Sequence, residues 1–470
     1  DGADTLIGGA GNDQLDGGAG NDTYRFGAAQ GSDEINDTAG TNQLVLDAGI
    51  LPANVTLIRT SSTGALTQSQ DATGKDDLVV ALNNGGDQIR IEGFFNGASP
   101  RPIDQIVFGD NSVWNAATID ANTVNQGGTA NTVAGTTGND TLNVDHPNDG
   151  LTGSGGIDTV VSSVNFTLPT GYENLTLTGT LDLTGKGNSS VNTIIGNSGD
   201  NVLETGHLST SDTLQGGPGN DTYNAYGTGT ITVVEAANEG IDTVWVVSPV
   251  YTAPANVENI GYASNENYGW GSGSPALTGN ALDNVIDART PTDDTLPNIK
   301  LDGGQGADTM YGAPTGFRTT FVVDNPGDIV LNADADDIVQ SSISYVLPSG
   351  VGALVLTGSG NTSGTGNAGA NVLDGYTLAS LYASNHLTGG TGDDTYIVGT
   401  QDTLVEAAGE GNDTVDLRGS GWSTAVALSS FPNVENLTIA GLSGATSYSV
   451  QGTSADNRIT GGTQNNTLSG

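Results

Sequence analysis

Aspartate recurs every nine residues at the start of this chain, at Asp4, Asp13 and Asp22, each framed by glycine and followed by a short apolar run. The second and third copies read Gly8-Gly9-Ala10-Gly11-Asn12-Asp13 and Gly17-Gly18-Ala19-Gly20-Asn21-Asp22. An alternating apolar triplet forms a short strand with one side chain pointing inward, and six residues rich in Gly, Asn and Asp reverse the chain. Nine residues then make half a coil and about eighteen a full one, so Asp4 and Asp22 fall on one side of a stack and Asp13 on the other.

The same frame returns farther along, as Gly135 and Gly138 before Asp140, Gly153 before Asp158, and Gly216 and Gly219 before Asp221. Gly303 and Gly306 precede Asp308, and Gly389 and Gly392 precede Asp394. Asp242 and Asp413 keep only a Gly-x-Asp-Thr-Val core. The pairs Asp140/Asp158, Asp221/Asp242 and Asp394/Asp413 are spaced to share a face. A longer period of about 85 residues is superposed, each paragraph opening on a nonapeptide and closing on an Asn-rich turn that contains Asn201, Asn284, Asn371 or Asn457. Those asparagines are expected to form a turn-stabilising amide ladder, with Asp200, Asp283 and Asp456 as plain turn residues. Glu235 and Glu406, both in a Val-Glu-Ala-Ala context, either cap neighbouring cages or face water.

These patterns divide the chain into an N-terminal coil segment 1–59, a polar loop 60–75, a distinct block 76–116, a linker 117–136 and four tandem repeats over 137–470. Short apolar runs separated by Gly/Asn/Asp clusters read as strands and turns throughout. The least poor helix candidate is Thr377 to Asn385.

Composition narrows the function classes. Eleven basic residues against 53 acidic give a net charge of −42, which repels nucleic acid and anionic membranes and favours hard divalent cations with oxygen ligands. With no cysteine, thiolate zinc sites, iron–sulfur clusters and disulfide scaffolds are excluded. His146, His207 and His386 lie far apart, and no Gly-x-Ser-x-Gly elbow, phosphate loop or dinucleotide fingerprint occurs. Catalysis is therefore not expected in these residues. Trp114, Trp245, Trp270 and Trp422 read as packing rather than as a sugar platform, and no apolar run is long enough to cross a membrane as a helix.

The nonapeptide Gly-Gly-x-Gly-x-Asp-x-apolar-x resembles the calcium-binding repeat of RTX proteins. The block containing Asp87-Gln-Ile-Arg-Ile-Glu-Gly-Phe-Phe95 and Ile103-Asp-Gln-Ile-Val-Phe-Gly-Asp-Asn-Ser-Val-Trp114 resembles the haemolysin-type calcium-binding-related module. The resemblance implies an all-β fold, a right-handed parallel β-roll or β-helix solenoid with several Ca²⁺ ions bound in the turns. It also implies that each sixth-place aspartate supplies a carboxylate and the glycine-rich loop supplies carbonyls.

Proteins of this kind are typically exported by type I secretion, so an extracellular or cell-surface location is expected. The expected role is a secreted calcium-binding structural or adhesive protein that folds into a rod on meeting calcium. Both ends fall inside repeats, which points to a longer chain or to a subunit that stacks head to tail into a homopolymer. The alternatives are an accessory region of an extracellular enzyme, and a segment that binds glycan or ice.

Overall fold

The computed structural model describes residues 2–37, 39–60, 77–83, 86–94, 101–126, 130, 132–206, 211–226, 230–263, 275–290, 298–376, 383–442 and 447–470. The chain forms two compact units, Asp1–Gly219 with Gly229–Thr232, and Asn220–Thr228 with Val233–Gly470. Strands dominate both. Among the described residues the only helical elements are Ala116–Ala121 and the short 3₁₀ turns Pro52–Asn54 and Leu428–Ser430.

The second unit is a parallel β-solenoid throughout its described residues. Strands Thr222–Ala225, Thr243–Val246, Asn259–Tyr262, Val285–Asp287, Thr309–Tyr311 and Ile329–Leu331 stack in one sheet. A longer sheet runs from Val250–Thr252 to Arg458–Thr460. Side chains alternate across a strand, so each coil sends one or two apolar residues inward. The register lines them up as a ladder, Leu354 on Leu373, Leu373 on Tyr396, Tyr396 on Val415 and Val415 on Leu437, all buried. Each such side chain contributes roughly 1.5–3 kcal/mol, and each coil touches only its neighbours, so stability accumulates along the stack. The single methionine, Met310, occupies one rung between Ile286 and Val330.

The first unit has the same ladder from Leu142 through Val160, Leu175 and Ile194 to Leu214. Its N-terminal half is interrupted. Strands Val55–Thr60, Asp77–Leu82 and Gln88–Ile91 pair antiparallel, as do Gln105–Val107 and Val113–Asn115, around a thicker core that includes Phe26, Leu57, Val80, Ile91, Phe94 and Phe108.

Two readings of the sequence meet a different outcome. The stretch 117–136, expected as a linker, contributes to the helix Ala116–Ala121 and carries the strands Thr123–Gln126 and Thr132–Ala134. Ile119 is fully buried in the thicker core, and Thr123 pairs with Leu57. One anchoring residue per turn is a weak signal in a polar, Thr-rich segment. Coil length also ranges more widely than the spacing of the aspartate pairs suggests, since equivalent corner residues are 15 residues apart between Asp158 and Glu173 and 24 apart between Asn284 and Asp308. Inserted residues leave the stack as loops, because only the strand and its corner must keep register. Residues 61–76, covering most of the expected polar loop, and 377–382, covering most of the helix candidate, lie outside the described residues.

Candidate metal centres

Each sixth-place aspartate sits at the corner immediately before a strand, where the chain turns into the next coil. Its backbone N–H donates to the side chain of the equivalent residue one coil on: Asp4 to Asp22 Oδ1 at 2.8 Å, Asp13 to Asp33 at 3.1 Å and Asp140 to Asp158 at 2.9 Å. Likewise Asp221 donates to Asp242, Asp308 to Asp328 and Asp394 to Asp413, at 2.8, 3.0 and 2.8 Å. One carboxylate oxygen is thus consumed by the fold. The other is left over. Oδ2 of Asp13, Asp22, Asp33, Asp158, Asp308, Asp394 and Asp413 is buried without a hydrogen-bond partner.

A bare buried carboxylate oxygen costs several kcal/mol unless a cation or proton meets it. Burial pushes Asp308 and Asp394 up to about 6, against the smaller opposing effect of a backbone N–H, and neighbouring carboxylates push in the same direction. The donor set is oxygen only, so the fitting ion is a hard divalent cation, and the irregular loop suits Ca²⁺ better than the strict octahedron of Mg²⁺.

Glycine makes room for these oxygens. A Cβ added at Gly17, Gly303 or Gly389 would lie 2.5, 2.0 or 2.2 Å from Oδ2 of Asp22, Asp308 or Asp394. Gly8 and Gly135 are crowded in the same way by Asp13 and Asp140, and the Gly216 carbonyl faces Gly196. At the second and fourth places, Gly390 and Gly392 have φ of +99° and +120°, a region closed to most side chains. Gly9, Gly11, Gly18, Gly20, Gly153, Gly219 and Gly306 share that conformation.

Not every expected ligand is held this way. Asp140 turns back on its own corner and accepts from the Thr136 N–H at 2.6 Å, so its carboxylate is already engaged, and Gly138 donates to the Thr136 hydroxyl. Asp4 is exposed.

The Asn corners are built differently. In Gly366–Asn371, the Asn367 amide donates to the Pro348 and Val351 carbonyls, both at 2.8 Å, and Asn371 donates to Val351 at 3.1 Å. The Asn367 N–H in turn donates to Asn371 Oδ1 at 2.7 Å. The same set closes Asn280 with Asn284, and Asn197 donates to Thr178 and Leu181. A neutral amide N–H₂ stands over the carbonyls of the neighbouring coil. The expected turn-stabilising amides are there, with Asn284, Asn371 and Asn457 bonded to backbone carbonyls of the coil before rather than rung to rung, and Asp200, Asp283 and Asp456 are exposed in these turns.

Three residue groups were hidden or undecided in the sequence. Glu173, Glu258 and Glu435 accept from the N–H of Asp158, Asp242 and Asp413, continuing the acidic ladder by one coil. Their recurrent Glu-Asn pair was the available signal. Asp33 and Asp328 occupy corner positions behind a shorter Gly-containing frame. Glu235 and Glu406 are buried rather than solvated, and accept hydrogen bonds from the Tyr223 and Tyr396 hydroxyls. Among the described residues two groups bring three acidic side chains together, Asp221/Glu235/Asp242 and Asp394/Glu406/Asp413, with one ligand atom from each within 4.8 Å of the others. Burial first, and Asp242 and Asp221 next, push Glu235 up to about 8.

The remaining sequence candidates have structural partners. Trp114 packs edge-on against Phe108 with ring centroids 4.7 Å apart, and Trp422 donates to the Arg418 carbonyl. His146 accepts a turn N–H from Asn148. Trp270 and His207 lie outside the described residues. Among the described residues no helix is long and apolar enough to cross a membrane.

Comparison with family models agrees with this geometry. Residues 1–33, 126–160, 186–207, 209–227, 300–314, 382–404 and 450–470 match the RTX calcium-binding nonapeptide repeat. Residues 77–118, the antiparallel block, match the haemolysin-type calcium binding protein related domain. No curated protein matches the chain.

Proposed function

We propose that this chain, which carries RTX calcium-binding nonapeptide repeats and a haemolysin-type calcium binding protein related domain, is a secreted structural or adhesive protein that folds when it reaches calcium. The observation that carries the reading is the recurrence of buried, partnerless Oδ2 atoms, on Asp158, Asp308, Asp394 and Asp413. Without cations these corners place like charges in a low-dielectric interior that is one or two side chains wide. With cations each corner ties two coils together.

The energetics favour a switch. Extracellular calcium modules bind with dissociation constants of about 10⁻⁴–10⁻³ M, so each filled corner contributes only about 1 kcal/mol at millimolar calcium. Many corners acting on a near one-dimensional stack give a cooperative transition. In calcium-poor cytosol a chain of net charge −42 repels itself and stays threadable for type I export; outside, it compacts. The glycine-loop corners are the binding machinery, Asp13, Asp22, Asp158, Asp221, Asp242, Asp308, Asp394 and Asp413 its carboxylates, and the role is architectural rather than catalytic. A solenoid also extends by stacking coil on coil, which supports head-to-tail assembly into a fibre or surface layer.

Circular dichroism and sedimentation velocity across a calcium titration from chelator to millimolar test both parts. The expected result is a steep gain of β signal with calcium, followed by a concentration-dependent rise in sedimentation coefficient. A β spectrum indifferent to calcium overturns the folding switch, and a folded monomer at high protein concentration overturns the assembly.

A further inference from the structure

Among the described residues, two corners bring three acidic side chains within reach of one ion. Asp394 ends the six-residue corner that begins at Gly389. One coil later the corner is eight residues long, Glu406-Ala-Ala-Gly-Glu-Gly-Asn-Asp413, and a glutamate stands at its first place where the shorter corner has glycine. Glu235-Ala-Ala-Asn-Glu-Gly-Ile-Asp242 repeats that design, with Asn238 and Gly409 at the same place and both at positive φ. All six acidic side chains are at least nine-tenths buried.

The hydrogen bonds leave ligand oxygens over. The Asn371 and Asp394 N–H groups occupy Oδ1 of Asp394 and Asp413, while Oδ2 of both has no partner. The Tyr396 hydroxyl and the Ala407 N–H each donate to one oxygen of Glu406, which fixes that carboxylate at the mouth of the corner. In the other triad Glu235 is fixed by Tyr223 through Oε1, and its Oε2 is buried without a partner. Calcium–oxygen distances of about 2.3–2.6 Å let one ion touch oxygens up to about 5 Å apart, and the three ligand atoms of each triad lie within 4.8 Å of one another.

We propose that Glu406 and Glu235 are direct calcium ligands, and that Asp394/Glu406/Asp413 and Asp221/Glu235/Asp242 each hold one Ca²⁺ in a three-carboxylate site that fills before the remaining glycine-loop corners. The inference rests on the calcium-binding reading of the chain and names within it the tightest sites. A third carboxylate raises affinity because ligand charge count tunes calcium sites over orders of magnitude. Enclosure excludes the waters that Mg²⁺ retains. Tyr396 and Tyr223 are positioning residues: each holds its glutamate toward the two aspartates without touching the ion.

The test is calcium counting by equilibrium dialysis on the full chain, comparing the parent with the Glu235→Gln/Glu406→Gln double variant and with Tyr223→Phe/Tyr396→Phe. The glutamine variant is expected to bind two fewer ions, lost from the tightest class, with the midpoint of calcium-induced folding raised roughly tenfold. The phenylalanine variant keeps the count with weaker binding. An unchanged count in the glutamine variant overturns the proposal, and so does an equal loss in both variants, which would mark disturbed packing. Should the glutamine variant fail to fold, a crystal of the parent grown with Tb³⁺ in place of calcium decides by anomalous scattering. Ions at both triads support the sites, and empty triads beside filled glycine loops overturn them. A parent that binds no calcium at all refutes the broader reading instead.

Discussion

Two corners stacked one on the other, Gly366–Asn371 and Gly389–Asp394, turn the chain the same way with the same number of residues. They solve opposite electrostatic problems. In the first, Asn367 and Asn371 present amide hydrogens to the carbonyls of the coil before, so the side-chain amides of the corner have neutral partners. In the second, glycine replaces the second-place asparagine, aspartate replaces the sixth, and Oδ2 of Asp394 is left without a partner. An amide N–H₂ and a metal ion are alternative ways of meeting the same ring of oxygens. One is permanent, and the other depends on the solution. The molecule mixes corners closed by amides with corners that leave a carboxylate oxygen bare, and only the second kind offers a place for the proposed calcium switch.

The largest expected effect comes from chelation. In excess EGTA, strands that follow Asp corners, such as Thr395–Val398 and Thr414–Gly419, lose protection from amide hydrogen exchange. The segment 184–204 retains the most, because its coil has an Asn corner at each side, Asn188 with Asn192 and Asn197 with Asn201. Uniform loss across both classes would erase the distinction between the corners.

Next comes Asn367→Ala. It removes two donated hydrogen bonds and leaves the Pro348 carbonyl only a long 3.4 Å bond from the Val351 N–H, a loss of about 2–3 kcal/mol. Denaturant melts should show a similar loss at low and saturating calcium, since this corner has no ion to lose.

Asp394→Asn is the mirror experiment, and its sign reverses with conditions. In saturating calcium the variant loses about 1 kcal/mol and at least one bound ion. In chelator it is more stable than the parent, because a buried like-charge cluster has lost a member. A variant less stable than the parent in both conditions would show that the carboxylate has no electrostatic cost without calcium.

The smallest effect is a proton-linked one away from the nonapeptide aspartates. Burial raises Asp337 to about 6, with the Thr319 and Asp334 N–H groups opposing. A raised carboxylate contributes stability that is fully present below its unfolded value near 4 and is lost as pH rises through about 6. Thermal melts of Asp337→Asn at fixed calcium should therefore show a flatter pH dependence between 5 and 7 than the parent.

The nonapeptide aspartates were legible because their spacing is a length of chain, and stacked coils convert chain length directly into position. The strand–turn alternation, the all-β class and the asparagine turns were legible for the same reason. Glu406 was not, since Val-Glu-Ala-Ala looks the same whether the glutamate faces water or a buried hydroxyl. Tyr396, two residues after Asp394, reads as an ordinary inward apolar residue until its hydroxyl is seen to reach Glu406. The segment 117–136 failed for a related reason: its place depends on Ile119 and on partners about 60 residues earlier, and no local pattern records them.

By itself, the order of residues determined the repeat, the parallel coils and the chemistry of the corners, because a periodic alternation of apolar and turn residues buries its apolar face only by stacking on itself. The tertiary structure decided which acidic groups lose water and which oxygens stay bare. Desolvation and hydrogen-bond competition depend on the coil above and the coil below, and the same Asp or Glu is hydrated on an open turn and stripped of water in a closed one.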